Sequence, residues 1–442
     1  MTQVSCRVLR QLTFLQRTRT LTVYICAISK TMLSPFAWKQ ITMKMYCGVF
    51  LSRSESCIMK KTNKDWVKIM RNTTVTSIAF TGDIAFSKYF SKGYEKADLM
   101  DNEIINFLQS SDHVVANMEA PVTAGDIKSE RKLNHVNSPE VVPYLLKLNA
   151  RIWSLANNHV MDCPEQGLRD TLEIATKNGI RTMGAGLCKK DAARWLELSD
   201  AGGIGLFSVT YFRDFLKAGE NKPGCITCDD LETIQKTISE IKAKNRWCVM
   251  VAHEGGEFSN FPMPYFRRLY LKYLDMGADI IVAHHPHVVQ NWEQVGDKYI
   301  FYSLGNFVFD TDYQRKQKYS EYGVLVKLYF TETEVTWESL ATKVDRENNR
   351  IVLCPPPAIF TGIDRKAYRR LWPLGAVNYC HTDRTAGIWL NPEKANYGPL
   401  RWLWDHIGFH GFSHALELLW GRTLARLGLW KKVDPDVVKY LQ

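Results

Sequence analysis

The segment Ser154-Leu155-Ala156-Asn157-Asn158-His159 closes a short apolar run and ends in an amide beside an imidazole. Asp83, Glu119 and the cluster His284-His285-Pro286-His287 stand at similar places, each close after a stretch that is typical of a buried strand. In α/β sheets, ligands collect beyond the carboxyl ends of the strands. We therefore expect these side chains, although far apart in sequence, to meet at one pocket that holds metal ions.

Strand-like and helix-like segments alternate through the middle of the chain, which predicts an α/β fold with sheets buried on both faces. The helix over residues 165–178 is the clearest, with Leu168, Leu172 and Ala175 on one face and Gly179 as its stop. Thr81-Gly82-Asp83 is expected to turn away from the end of the first strand. The predicted strands are 75–80, 113–117, 152–155, 202–210, 247–252, 280–283, 299–303, 322–330 and 334–339. The other predicted helices are 101–110, 139–147, 230–245 and 265–276.

The first 72 residues differ in charge from the rest of the chain. Residues 1–70 carry twelve Lys or Arg against two Asp or Glu, which accounts for most of the net charge of +11. We expect a disordered extension or sequence from an upstream start, with Met59 and Met70 as alternative starts, and an organelle transit peptide as the other interpretation. The basic charge therefore does not predict that the folded part binds nucleic acid.

The other end of the chain, residues 346–442, is rich in tryptophan. Pro355-Pro356-Pro357 marks a boundary, and six of the thirteen tryptophans lie beyond it. Leu416, Leu419, Trp420 and Leu424 share one helical face, which predicts a helical region packed on the domain at 73–345. The alternative is a helix lying on a membrane surface, which would give the protein a peripheral membrane contact.

Cysteine usage and hydropathy indicate the compartment. Eleven cysteines follow no regular spacing, so reduced thiols are expected, and Cys225-Ile226-Thr227-Cys228 has no second pair to form a zinc site. No apolar run approaches the ~20 residues that span a bilayer, and no clean signal peptide precedes the folded part. A cytoplasmic protein is expected, with or without membrane association.

The residues proposed for the pocket supply carboxylate, imidazole and amide groups. Carboxylates can bridge two ions, and the absence of cysteine from the set favours Mn²⁺, Fe or Zn²⁺ in a reactive site over a structural zinc. One or two divalent ions that acidify water and polarise an ester or amide would support hydrolysis.

Residues 75–310 resemble the bacterial capsule-synthesis family CapA, whose domain is related to calcineurin-like metallophosphoesterases. The resemblance implies a four-layer α/β/β/α sandwich, here with a C-terminal helical extension. The matching motifs, in family order, are Thr81-Gly82-Asp83, Asn117-Met118-Glu119-Ala120-Pro121, Leu155-Ala156-Asn157-Asn158-His159 with Asp162, His253-Glu254-Gly255-Gly256-Glu257, Gly277-Ala278-Asp279 through His284-His285-Pro286-His287, and Tyr302-Ser303-Leu304-Gly305-Asn306-Phe307.

By position in these motifs, the resemblance implies a role for each residue. His159 matches the histidine that donates a proton to the leaving oxygen. Glu119 matches a bridge between ions, and His284 could replace His285 because the sequence leaves the register open. Asn306 and Ser303 are expected to line the pocket. The implied metal ligands are Asp83, Glu119, Asn158, His253, His285 and His287.

Two departures affect these expectations. Phosphoesterases usually begin Asp-x-His, but the third position here is Ala85, so one ligand of one ion is missing. Glu254 stands where the family usually has tryptophan, and it is either a further ligand or a solvated charge. The resemblance predicts a hydrolase acting on a phosphoester or on poly-γ-glutamate, with capsule-synthesis proteins as partners. The alternative is a non-catalytic accessory that binds the polymer during assembly.

Overall fold

The computed structural model describes residues 12–16, 19–23, 75–125, 135–199, 201–366 and 368. The chain divides into two compact units, Met1–Lys68 and Ile69–Gln442. In the first unit, strands β1 (Leu12–Gln16) and β2 (Arg19–Val23) form an antiparallel hairpin. The predicted Trp-rich helices and most of the basic extension lie outside the described residues.

The second unit contains the remaining strands and the helices. The strands are β3 (Thr76–Ile84), β4 (His113–Met118), β5 (Ile152–Ser154), β6 (Arg181–Met183), β7 (Ala185–Gly186), β8 (Leu196–Leu198), β9 (Ile204–Thr210), β10 (Gly224–Cys225), β11 (Trp247–His253), β12 (Ile280–His284), β13 (Trp292–Val295), β14 (Lys298–Phe301), β15 (Asn306–Val308), β16 (Tyr322–Phe330), β17 (Val335–Asp345), β18 (Arg350–Leu353) and β19 (Gly362–Ile363). The helices are α1 (Asn102–Gln109), α2 (Val142–Lys147), α3 (Pro164–Lys177), α4 (Lys189–Ala192), α5 (Leu231–Lys244) and α6 (Pro264–Asp275).

Two large sheets organise this unit. The first has the order β18-β17-β16-β3-β4-β5-β6, with β15 beside β3, and strands β3 to β6 run parallel. The second has the order β19-β13-β14-β12-β11-β9-β8, with β9, β11, β12 and β14 parallel. Parallel strands end at the same edge, so each sheet presents one edge where the loops after its strands gather.

The sheets stack face to face and carry helices on their outer faces. On β11, Val249 and Val251 point into the core between the sheets, where they join Ile78 and Phe80 of β3. The alternating Met250 points to the other face, which α5 and α6 cover. Helices α1, α2 and α3 cover the outer face of the first sheet in the same way. The predicted four-layer α/β/β/α sandwich is therefore confirmed.

Most predicted elements lie within a few residues of the observed ones, but one local expectation is wrong. Thr81-Gly82-Asp83 does not turn away from the first strand, because β3 continues to Ile84 and pairs there with β15 and β4. The register between β3 and β4 shifts between Phe80 and Asp83. The sheets also extend past residue 345 through β18 and β19. Among the described residues, none of the helices is both long enough and apolar enough to cross a membrane.

Candidate metal centre

The two carboxylates of the site lie at the edge of the first sheet. Asp83 is the penultimate residue of β3, and Glu119 directly follows β4; both are fully buried. Their backbones are tied to neighbouring strands, since Asp83 N–H donates to Gly305 O at 2.9 Å and Glu119 N–H to Ile84 O at 2.8 Å. Gly82 permits the first contact, because a Cβ there would lie 2.3 Å from the Gly305 oxygen.

The histidines come from the facing edge of the second sheet. His253 ends β11 beside His284, the last residue of β12. His284 bonds through Nε2 to the carbonyl of Thr81 at 2.8 Å and belongs to neither group of potential ligands. The next turn holds His285 at φ +94° and His287 at φ +56°, which are rare conformations for residues with a side chain. This strained turn resolves the open register, because His285 and His287 are the two that face the carboxylates.

The six proposed ligands come together in the folded chain. His253 Nε2 lies 3.3 Å from Glu119 Oε1 and 2.7 Å from Asn158 Oδ1. His287 contacts both carboxylates, with Nδ1 3.1 Å from Asp83 Oδ2 and Nε2 3.4 Å from Glu119 Oε1. The potential ligand atoms form two groups, and within each group all of them lie within 4.8 Å of one another. Glu119 belongs to both groups. These groups are Glu119, His285 and His287, and Asp83, Glu119 and His253.

Several buried atoms of this pocket make no hydrogen bond of good geometry, although imidazole nitrogens lie 3.1–3.4 Å from one oxygen of each carboxylate. They include Oδ2 of Asp83, both carboxylate oxygens of Glu119 and Nδ1 of His285. Burying a carboxylate away from water is costly unless a cation or donors compensate for it. The donor set, with its carboxylate and amide oxygens and its imidazole nitrogens, matches what Mn²⁺, Fe or Zn²⁺ accepts. These residues therefore fit a divalent ion.

Electrostatic effects favour the cation-binding form of Asp83, His253 and His285, whereas the pKa values of Glu119 and His287 are raised, which favours their protonated forms when no cation is bound. Burial pushes the pKa of Asp83 up, but its contact with His287 outweighs this and lowers it overall. Burial, and then the negative charge of Asp83, raise the pKa of Glu119 well above its usual range. Burial and the neighbouring imidazoles lower the pKa values of His253 and His285, so both are neutral at pH 7 and can donate a lone pair.

Further buried amides orient the ligands. Asn306 accepts from His287 Nδ1 at 2.9 Å and donates to Ser320 O at 2.8 Å, which leaves Nε2 of His287 turned toward Glu119. Asn117 donates to Asp83 Oδ1 at 2.8 Å and lies 3.2 Å from His253 Nδ1. Such outer contacts set the tautomer and direction of metal ligands.

The proton-donor candidate has its own support. His159 Nδ1 lies 2.6 Å from Asp162 Oδ2, and the backbone N–H of His159 donates to Asn157 Oδ1 at 3.1 Å. The His135 ring packs edge-on against the His159 ring at 4.5 Å and lies 2.9 Å from the Ser87 hydroxyl. The Asp162 contact makes Nδ1 the donor, so Nε2 is the atom that can carry a proton to a substrate.

Ala85, which stands where related phosphoesterases have a histidine ligand, lies in an apolar environment. Ala85 and Ala120 pack with Phe309 in a small cluster. Phe309 also stacks on the His287 ring at 4.8 Å. Glu254, the other departure, is fully buried; burial raises its pKa to about 8, and Tyr273 donates to its Oε1 at 3.3 Å. It is therefore neither a solvated charge nor a member of either candidate ligand group.

Sequence reasoning missed two residues here. Asn117 has a recognisable signal, because it stands two positions before Glu119 at the end of a predicted strand. His135 has none, because it belongs to no predicted element or motif and meets His159 only through the fold.

Cys225 and Cys228 are free and buried, and burial raises the pKa of the Cys225 thiol to about 12, as expected for inert thiols.

Four layers of helix and sheet, with a carboxylate–imidazole pocket between the carboxyl edges of the sheets, define a metallophosphoesterase-like domain. The family described as "Bacterial capsule synthesis protein PGA_cap" matches residues 77–311, and the chain belongs to this family.

Two curated relatives are similar over the same part. The "PGA biosynthesis protein CapA" of Bacillus subtilis (strain 168) is 34% identical over 249 residues, which cover 54% of this chain and 65% of the relative. The "Capsule biosynthesis protein CapA" of Bacillus anthracis is 30% identical over 261 residues, covering 56% and 63%. The chain thus spans a little less than two thirds of each relative.

Solved structures are similar at much lower identity. A hypothetical protein from Thermus thermophilus has a TM-score of 0.36 at 12% identity, covering 60% of this chain and 99% of that one. The 5'-nucleotidase from Candida albicans has a TM-score of 0.34 at 9% identity, covering 60% and 51%. Both TM-scores are low, and the strand order itself establishes the fold.

Proposed function

We propose that the protein is a metal-dependent hydrolase that cleaves a phosphoester or an amide bond in an anionic polymer of bacterial capsule synthesis. Poly-γ-glutamate is the amide polymer that the family points to. The observation that carries the proposal is the convergence of Asp83 and Glu119 with His253, His285 and His287, which gathers buried carboxylate oxygens and imidazole nitrogens that a divalent cation would bind together.

The ligands of the proposed ion are those gathered around Glu119. A divalent ion held there would polarise a phosphoryl or carbonyl oxygen and acidify water at neutral pH. We infer one tightly held ion, because Ala85 removes an imidazole on the Asp83 side and Phe309 fills the space beside it. A second ion would bind more weakly.

The chain's own residues would perform the rest of the reaction. Asp162 orients His159 so that Nε2 can hold a proton and release it to the leaving oxygen or nitrogen. The partial burial of Asn158 and His159 at the mouth of the pocket limits the access of bulk water. Asn117 and Asn306 keep the ligands in place while the charge of the substrate changes.

The test is metal analysis of the purified protein beside its Asn158→Ala and His285→Ala variants. We expect both variants to lose bound metal, whereas His159→Ala keeps it and loses turnover on phosphoesters or poly-γ-glutamate. His113→Gln, at the opposite end of β4 from Glu119, is the matched control and should keep both. Full metal content in the Asn158 and His285 variants would refute the proposed centre.

A non-catalytic role in polymer binding is the second candidate, and the Ala85–Phe309 packing favours it, because a fully equipped two-ion centre would need a ligand there. Polymer binding that survives both His159→Ala and chelation, in a protein without turnover, would support this role. In either case we expect the polymer, and other capsule-synthesis proteins, as partners, with peripheral membrane contact as a further proposal.

A further inference from the structure

The loop after β9 places two side chains, Tyr211 and Arg213, beside the candidate metal centre. The backbone N–H of Tyr211 donates to His253 O at 3.1 Å, which holds the start of this loop against the end of β11. The Tyr211 ring lies 4.7 Å from the His285 ring, with 31° between their planes. The guanidinium of Arg213 lies 4.8 Å from the centre of the Tyr211 ring, and Arg213 itself is exposed.

The contacts with Tyr211 restrict the positions that the guanidinium of Arg213 can adopt. A guanidinium near an aromatic face is attracted to the ring, and its own plane offers paired N–H donors that match a carboxylate or a phosphate. Tyr211 cannot move far, because its backbone is bonded to His253 and its ring packs on His285. The cation is therefore preorganised beside the pocket, which reduces the entropy lost when it binds an anion.

The negative charges of the pocket are buried, whereas the positive charge of Arg213 is exposed. The carboxylates of Asp83 and Glu119 are fully buried among the proposed ligands, whereas Arg213 is exposed at the rim. An anionic group arriving from solvent on the His285 side would meet Arg213 before it reached the ligands. A polymer with one anion per repeat could place one such group at Arg213 and a neighbouring bond over the centre.

We propose that Arg213, backed by Tyr211, is a specificity-determining residue that binds a carboxylate or phosphate of the substrate next to the bond that is cleaved. This inference rests on the proposed function, since it names the substrate class for the same site. On this proposal, the exposed side chain of Arg213 is what lets the protein distinguish anionic from neutral polymers.

The experiment measures equilibrium binding by fluorescence anisotropy, with metal-loaded protein in the His159→Ala background so that no turnover occurs. One ligand pair is a γ-glutamyl hexamer and its α-amidated, neutral counterpart. The second pair is a glycerol phosphate hexamer and its neutral methyl triester. The pairs distinguish carboxylate from phosphate as the anion that Arg213 binds.

We expect Arg213→Gln to weaken binding of the acidic member of one pair by roughly tenfold to a hundredfold, the range for losing a hydrogen-bonded charge, and to leave the neutral member unchanged. Arg213→Lys should restore part of the loss. Arg151→Gln, an exposed arginine just before β5 at the amino edge of the first sheet, should bind like the parent protein.

Three results would overturn the inference: a parent protein that does not prefer either acidic ligand, an Arg213→Gln variant with unchanged preference, or equal losses for acidic and neutral ligands. Turnover by the wild-type protein is measured separately. Arg213-dependent binding without turnover would refute only the hydrolase. Turnover with an Arg213-independent preference would refute only this inference.

Discussion

Replacing Glu119 with glutamine should change the stability of the protein in opposite directions with and without metal. In the metal-free protein, both Glu119 oxygens are buried without hydrogen bonds and lie near Asp83. Glutamine keeps the shape and removes the charge, so Glu119→Gln should stabilise the metal-free fold. With metal, the same change removes the ligand shared by both candidate groups and should destabilise the fold relative to wild type.

The magnitudes follow from the burial of this side chain. An unsatisfied buried polar group costs about 1–3 kcal/mol, and more if it is charged. Because glutamine is itself a buried polar group, the expected gain in the metal-free variant is only the additional cost of the charge, on the order of 1 kcal/mol. A ligand present at a hundred times its Kd stabilises the native state by about 2.7 kcal/mol, which only the wild-type protein should gain in full. Each kcal/mol corresponds to roughly 2–4 °C in Tm for a domain of this size.

The assay is thermal and urea unfolding at pH 8, in chelator and in excess Mn²⁺ or Zn²⁺, for wild type and Glu119→Gln. Glu173→Gln is the control, because that carboxylate is 63% exposed and pairs with Lys177 on the surface of α3. It should change stability by less than about 0.5 kcal/mol in both conditions. If Glu119→Gln were destabilised equally in chelator and in metal, the idea of an uncompensated carboxylate awaiting a cation would be refuted.

Three further predictions concern neighbouring residues. Asp162→Asn should lower turnover by about 10²–10⁴-fold, as His159→Ala does, while metal content by elemental analysis stays unchanged. Ala85→His combined with Phe309→Ala should raise the bound metal per chain above that of wild type, whereas Ala85→His alone should be destabilised in urea by overpacking. Burial raises the pKa of Glu254 to about 8, above its unfolded value near 4.3. The metal-free protein should therefore lose stability as the pH rises between these two values, by at most about 4–5 kcal/mol. Glu254→Gln should flatten this dependence of stability on pH, and an unchanged dependence would contradict the prediction.

Much of the fold could be predicted because its signals are local. Helices α3 and α5 begin and end within one residue of the predicted bounds, since apolar spacing and terminal residues specify them. The exception was Thr81-Gly82-Asp83, where a glycine suggested a turn. Its glycine instead allows Gly305 to approach β3 from more than two hundred positions away, which no local pattern reveals.

The candidate site divides in the same way. Chain order and motif spacing were enough to propose Asp83, Glu119, Asn158 and the histidines, because each stands at the end of an apolar run that is visible in the sequence or shortly after it. The register within His284-His285-Pro286-His287 was not predictable. It depends on His284 bonding to Thr81 of the other sheet, a contact between the two layers.

The sequence by itself determined the element order, the α/β class and the types of side chain at the strand ends, because periodicity and turn chemistry act over a few residues. The four layers were implied by the resemblance of its motifs to a known family. Only the tertiary structure decided which imidazoles face the carboxylates, that Phe309 packs beside Ala85, and that Arg213 stands over Tyr211, whose ring contacts His285. The physical reason is that these are packing contacts between the two sheets and their loops, and their geometry depends on how both layers settle against each other.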